Sequence, residues 1–330
     1  MRKLATIATI DQILPHPNAD SLELAKVRGW QICVKKGEFK EGDLCVYCEI
    51  DSLMPERPEF EFLRDRGFRI KTIRLRGELS QGICFPLSVL ECCVPVFLED
   101  GVNITDALGV QLYQPPMSAC LDGDVVGPFP SFIPKTDCER IQNHSWILDE
   151  LNSLEWAATE KLNGSSCSAW WKDGELHVAS RNWELRANDR NAFWQAARRQ
   201  GLADKLSSAP GFAIQAELLG PGIQGNRYRV LQPTLFVFDV YDLQQHRYLD
   251  FLDYRLFCEQ HDLESVPLIA YGSHLRDLAS ILREAEGDSE LYPTPREGLV
   301  WRPCQERDDP RIGRVAFKAI SNTFLLKQKD

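Results

Sequence analysis

Hydrophobic and polar positions alternate with a period of two through most of the first third of the chain. VRGWQICVKKG and DLCVYCEIDS are rich in β-branched and aromatic residues and are bounded by Gly29, Gly37 and Gly42. Each is expected to be a strand that ends at a turn. RIKTIRLRGELSQGICFPL predicts two more strands. Short strands at this spacing imply a small barrel or sandwich. The pattern lapses in QLYQPPMSACLDGDVVGPFPSFIPK, residues 111 to 135. This stretch is rich in Pro and Gly without a clear period, and it reads as a linker or a draped loop. The boundaries fall at 1–112 for a first module, 113–130 for a linker and 131–330 for a second domain.

The second domain mixes periods. SAWWKDGELHVAS, GFAIQAELLG, TLFVFDVYDL, GLVWRP and RVAFKAIS read as strands. RNAFWQAARRQGLADKLSS, LDYRLFCEQHDL and LRDLASILREAE read as amphipathic helices. Strands and helices do not alternate regularly, so the fold class is α+β with antiparallel sheets rather than a doubly wound one. No internal repeat is present.

Composition narrows the setting. The chain has 330 residues, 44% hydrophobic and 26% charged, as in an ordinary globular protein with one large or two smaller cores. No apolar run approaches the roughly 18 residues of a membrane span, and the first residues do not read as a secretory signal. Eleven cysteines, an odd number at irregular spacing, point to reduced thiols and a cytoplasmic, intracellular protein. Cys45 and Cys48 form a CxxC, and Cys92 and Cys93 are adjacent, but no second pair completes a zinc set. Alternation in LCVYCEI puts Cys45 and Cys48 on opposite faces. A net charge of −10 argues against coating nucleic acid through charge alone. A local exception is RDRGFRIKTIRLRG, where Arg64, Arg66, Arg69, Lys71, Arg74 and Arg76 stand against Asp65. Arg69, Lys71, Arg74 and Arg76 are the candidates for contacts to a nucleic-acid duplex.

The chemistry centres on EKLNG, residues 160 to 164. A lysine acts as a nucleophile only as the neutral amine. KxxG alone is common and reads as a loop lysine. The segments beyond Lys161 change this: SRN with Arg181, QAELLGPGIQGN with Glu217, LFVFDVYD with Phe236 and Phe238, REGLVWR with Glu297, and VAFKAIS with Lys318. This order and spacing resemble the covalent nucleotidyltransferases, the superfamily of ATP-dependent ligases and capping enzymes. GPGIQGN, FKAISNTFLLK and IPKTDCERIQN look most like the ATP-dependent RNA ligases that carry an N-terminal OB-fold module. HPNADSLELAKVRGWQICV resembles the first strands of OB-fold modules that bind tRNA, an analogy of fold.

The resemblance implies an OB-like β-barrel followed by an adenylyltransferase domain, and a ligase joining a 3′-OH RNA end to a 5′-phosphate at duplex nicks. Lys161 would form lysyl-AMP, and Lys318 would contact the α-phosphate. Glu217 and Glu297 would hold Mg²⁺ or Mn²⁺, with Asn163 reaching it through water. Phe236 or Phe238 would stack on adenine. Thr159 and Glu160 would read the base edge through backbone groups, Ser166 would hold the ribose or nick phosphate, and Arg181 would fork onto phosphate. The implied partner is nicked RNA-containing duplex, with neither a membrane nor a protein partner indicated. The pattern departs from the family at two points. Asn163 stands where Asp is usual, and Ala319–Ile320 follow Lys318 where a second lysine is usual, with Arg314 or Lys327 as candidate substitutes. A DNA ligase, a capping-type nucleotidyltransferase and a catalytically weakened, ligase-like nucleic-acid-binding protein are the alternatives.

Overall fold

The computed structural model describes residues 3–91, 96–113 and 124–327. Cys92, Cys93 and most of the predicted linker therefore lie outside the described residues. The chain divides into two compact units. One comprises Met1–Pro116, Ile141–Ser145 and Leu325–Asp330, and the other Met117–Arg140 and Trp146–Phe324. The chain thus passes between units more than once.

The described residues of the first unit form ten short strands: β1 (Ala5–Thr9), β2 (Gln12–Pro15), β3 (Leu22–Val27), β4 (Trp30–Lys35), β5 (Leu44–Cys48), β6 (Ser52–Leu53), β7 (Ile73–Leu75), β8 (Glu78–Ser80), β9 (Ile83–Phe85) and β10 (Gln111–Leu112). They form two three-stranded antiparallel sheets, β1-β5-β9 and β2-β3-β4, with the small pairs β7-β8 and β6-β10 beside them. Their inward residues make one core around Ile7, Trp30, Ile32, Val46, Tyr47 and Phe60, and Cys45 and Cys48 are both fully buried in it. Residues 141–145 belong here because they are tied in: Trp30 Nε1 donates to Asn143 Oδ1 at 2.8 Å, and Gly29 N donates to the Gln142 carbonyl at 3.3 Å.

The second unit carries β11 (Val125–Pro128), β12 (Glu139–Arg140), β13 (Trp156–Lys161), β14 (Ser165–Lys172), β15 (Glu175–Ser180), β16 (Trp183–Leu185), β17 (Phe212–Leu219), β18 (Thr234–Asp242), β19 (Arg247–Tyr248), β20 (Leu268–Ser273), β21 (Gly298–Pro303), β22 (Asp308–Asp309), β23 (Gly313–Arg314) and β24 (Phe317–Ile320). Seven form a sheet in the order β11-β16-β15-β14-β17-β18-β19, and five form a second in the order β12-β24-β21-β13-β20. Most pairings are antiparallel, but β12 joins β24 in parallel. The helices Ala192–Arg199, Leu202–Ser207 and Phe251–Gln260 put Trp194, Leu206, Phe251 and Tyr254 into a core with Val178, Ile214 and Val240 of the large sheet. Asn191 caps the first of these helices, accepting from Phe193 N at 2.9 Å.

One expectation needs correction. Residues 125–128, placed in the linker, form the edge strand β11 on β16, with a register shift between Val125 and Gly127. Gly and Pro in the run hid it, yet an edge strand with a bulge tolerates both.

Candidate active site

Strand β13 ends at Lys161, and three residues separate it from β14 in the other sheet. In register, Lys161 opposes Gly298 and Thr159 opposes Val300 on β21; Val300 opposes Lys318 on β24; and Lys318 opposes Arg140 on β12. Registered neighbours share a face, and alternate residues return to it. Thr159, Lys161, Lys318 and Arg140 therefore occupy one face of the five-stranded sheet, and Glu160 the other. Close approach explains two glycines of the motifs. A Cβ at Gly164 would run into the Leu218 carbonyl, and one at Gly298 into that of Ala319.

The large sheet supplies the second row. Ser166 of β14 opposes Glu217 of β17, which opposes Phe236 of β18. Gly164 N donates to Glu217 Oε1 at 2.7 Å, tying the loop after Lys161 to this row. Lys161 Nζ lies 2.8 Å from Glu297 Oε1. Burial pulls the Lys161 amine down, but the charges of Glu297 and Glu217 outweigh it and hold the amine above the ordinary lysine value. Burial also pushes Glu217 up, to about 7, with Glu297 adding to the rise and Lys161 opposing it. The arrangement holds Lys161 as an ammonium. That reverses the expectation of a neutral amine, and the cause is two carboxylates around one cation.

These carboxylates carry more negative charge than one lysine balances, which fits a divalent cation. Mg²⁺ and similar ions take one or two protein carboxylates and complete their shell with water and phosphate. Among the described residues no group of three or more His, Cys, Asp or Glu side chains could hold a metal by itself. Glu217 and Glu297 would hold an ion that arrives with the phosphates. Asn163 sits in the same loop, its backbone N–H donating to Tyr228 Oη at 2.9 Å.

The other predicted residues lie around this centre. Thr159 is buried between Val300 and Leu268. Glu160 is fully buried, its N–H donates to the Pro267 carbonyl at 2.9 Å, and its Oε2 accepts from Glu290 N at 2.9 Å. That N–H and that oxygen are thus engaged within the fold. Phe236 and half-buried Phe238 share a cluster with Leu162, Tyr228 and Val266. Arg181 is exposed and paired with Asp137, and the Ser166 hydroxyl is 3.5 Å from that of Thr136. Arg314 cannot serve as the second lysine of the last motif, because it is committed to Asp239 at 2.7 Å and Glu306 at 2.6 Å.

In the first unit, Arg69 is half-buried, paired with Asp51 at 2.9 Å and stacked over Tyr113. Half-buried Lys71 precedes β7, and Arg74 and Arg76 are exposed at its hairpin. Sequence reasoning missed Arg140 and Tyr228. Arg140 reaches the site only through a parallel pairing with a strand near the far end of the chain. Tyr228 lies in a segment without period.

Two mostly antiparallel sheets meeting at a lysine beside two carboxylates, with a strand-rich module in the same chain, define a protein of the ligase type. A family model described as RNA ligase matches residues 154–320, and one described as an OB-fold domain matches residues 4–87. The chain is 35% identical to an RNA ligase of Naegleria gruberi solved with PPi, over 98% of each chain, with a TM-score of 0.88. Variants of the Naegleria enzyme with ATP and Mn, and with AMP and Mn, match over 100% of each chain at 36% identity and TM-scores of 0.90. No curated protein sequence matches. The chain belongs to the RNA ligase family, with an N-terminal OB-fold domain. No helix among the described residues is long and apolar enough to cross a membrane.

Proposed function

We propose that this RNA ligase uses ATP and Mg²⁺ or Mn²⁺ to join a 3′-OH RNA end to a 5′-phosphate, at nicks in RNA-containing duplex. The observation that carries the reading is the 2.8 Å pair of Lys161 with Glu297, beside Glu217 at the junction of the two sheets. Lys161 Nζ gives up a proton and attacks the α-phosphorus of ATP. The N–P bond forms as the bond to pyrophosphate breaks, leaving lysyl-AMP. The Naegleria relatives were solved with ATP, with AMP and with PPi, the substrate, the transferred group and the leaving group of this step. AMP then passes to the 5′-phosphate, and the 3′-OH displaces it.

Glu297 and Glu217 hold Lys161 in place, and their pull on its proton must relax before attack. Glu297 and Glu217 would hold a divalent cation, which would supply that relief and neutralise phosphate charge. Lys318 and Arg140, on the face of Lys161, put positive charge where the phosphates lie. Phe236 or Phe238 stacks on adenine. Arg181 forks onto the 5′-phosphate.

Incubation with ATP and Mn²⁺ or Mg²⁺ should add one AMP to the intact mass. Lys161→Ala should abolish the adduct yet still seal a nick whose 5′ end is already adenylylated. Labelling of that variant at the parent rate would sink the mechanism. Absence of any adduct on the parent, with duplex binding intact, would favour a weakened, ligase-like binding protein.

A further inference from the structure

Ser166 and Ser168 lie on one face of β14 and, with Arg181, Lys135, Thr136 and Asp137, line an open pocket on the large sheet. Two cations and three hydroxyls stand there against a single carboxylate, which is the donor set of an anion site. The carboxylate already sits on the guanidinium: Arg181 Nη2 donates to Asp137 Oδ1 at 2.7 Å and Oδ2 at 3.0 Å. Both side chains are 57% exposed. Pairs this exposed contribute little to folding, so the contact is free to exchange.

The strap that carries Asp137 is fixed independently of that contact. Ile133 is buried against Trp170 and Tyr241. Gln215 Nε2 donates to the Pro134 carbonyl at 2.8 Å, and Phe129 N to the Asn182 carbonyl at 2.8 Å. Lys135 Nζ donates to Asn182 Oδ1 at 3.0 Å, which holds it beside Arg181. Asp137 can therefore release Arg181 without loosening the strap or moving Lys135.

We propose that Asp137 holds Arg181 as an internal surrogate for the terminal phosphate, and that the 5′-phosphate of the nick displaces it and binds Arg181 and Lys135 together. This rests on the reading of Arg181 given above. It makes residues 135–137 a device for selecting phosphorylated ends, since a 5′-hydroxyl has no charge with which to displace the carboxylate.

The test is binding of the full chain, without ATP, to two nicked RNA duplexes that differ only in a 5′-phosphate or a 5′-hydroxyl at the nick. Asp137→Asn should tighten the phosphorylated nick by up to about fivefold, the scale of an exposed ion pair, and leave the hydroxyl nick near the parent value. Lys135→Ala should weaken only the phosphorylated nick. Equal tightening of both nicks by Asp137→Asn would show a general charge effect and overturn the exchange, as would no change in either. Loss of both nicks alike in Lys135→Ala would remove that residue from the phosphate site. AMP transfer to the unsubstituted protein is read in parallel by intact mass. Its failure would reject the ligase reading itself and is separate from any binding result.

Discussion

Position 163 is where this chain parts from the expected lysine motif. The backbone of Asn163 is fixed by Tyr228 Oη, and the next residue, Gly164, donates to Glu217. The side chain thus stands on a loop already anchored beside Lys161 and its carboxylates. An amide there would offer a lone pair to a metal-bound water but no charge. Charge-assisted hydrogen bonds are worth roughly 1.5–3 kcal/mol, or about tenfold to a hundredfold in rate. Asn163→Asp should therefore speed AMP transfer by that factor and lower the metal concentration at half-maximal rate. Single-turnover AMP transfer across a Mg²⁺ titration decides it. An unchanged rate and midpoint would mean that position 163 does not face the ion.

At the scale of elements, the strand pattern was legible wherever local period and packing agree. LFVFDVYDL reads as a strand, and it is one. Its faces are another matter. Gln215 opposes Asp239 while Ala216 opposes Val237, so Phe238 is an extra residue in β18. Strict alternation would set Asp239 on the face away from Phe236; the bulge returns it to the face of Phe236 and Glu217. There Asp239 meets Arg302 of β21 and Arg314 of β23, and so ties the large sheet to the sheet that carries Lys161. Nothing in the sequence announces a bulge, because it is set by what two strands pack against. The parallel β12–β24 pairing that delivers Arg140 was hidden for the same reason.

Asp239 is buried together with Arg302, and half-buried Arg314 closes the group. Burial raises the Asp239 carboxyl, but Arg314 and Arg302 outweigh that and hold it below the ordinary aspartate value. A depressed carboxylate stabilises the fold at pH above its unfolded value, and that contribution is lost as pH falls through the folded value. Asp239→Asn would leave the two guanidinium groups to share Glu306 alone, at a cost of up to about 3 kcal/mol. The urea midpoint at neutral pH should fall accordingly, and the variant should lose less further stability than the parent on acidification below about pH 4. A midpoint within error of the parent would show that the sheets do not depend on this tie.

For the whole molecule the question is how a chain of net charge −10 holds a polyanion. The basic run from Arg64 to Arg76 is the sequence's answer, but the structure divides it. Arg64 is engaged by Glu61 at 2.5 Å, and Arg69 by Asp51 and the Tyr113 ring. Arg74 and Arg76 remain exposed at the β7–β8 hairpin, whose tip is held by His16 on the Leu75 carbonyl at 3.1 Å and Asn18 on the Arg76 carbonyl at 3.1 Å. A pinned hairpin with two exposed arginines, Arg74 bonded to the Gly77 carbonyl at 2.8 Å, suits contact with a phosphate backbone, where each charge neutralised contributes about 0.7–0.9 to the slope of log K against log salt. Replacing both Arg74 and Arg76 by Ser should weaken duplex binding at low salt and lower that slope by about one to two. Arg69→Ala should instead lower the stability of the first unit and leave the slope nearly as it was, since its charge is already answered. The measurement is binding to nicked duplex across a salt series for the three proteins, with thermal unfolding alongside. If the double variant keeps the parent's slope while Arg69→Ala flattens it, then Asp51 yields Arg69 to the duplex and the exposed hairpin is not the contact.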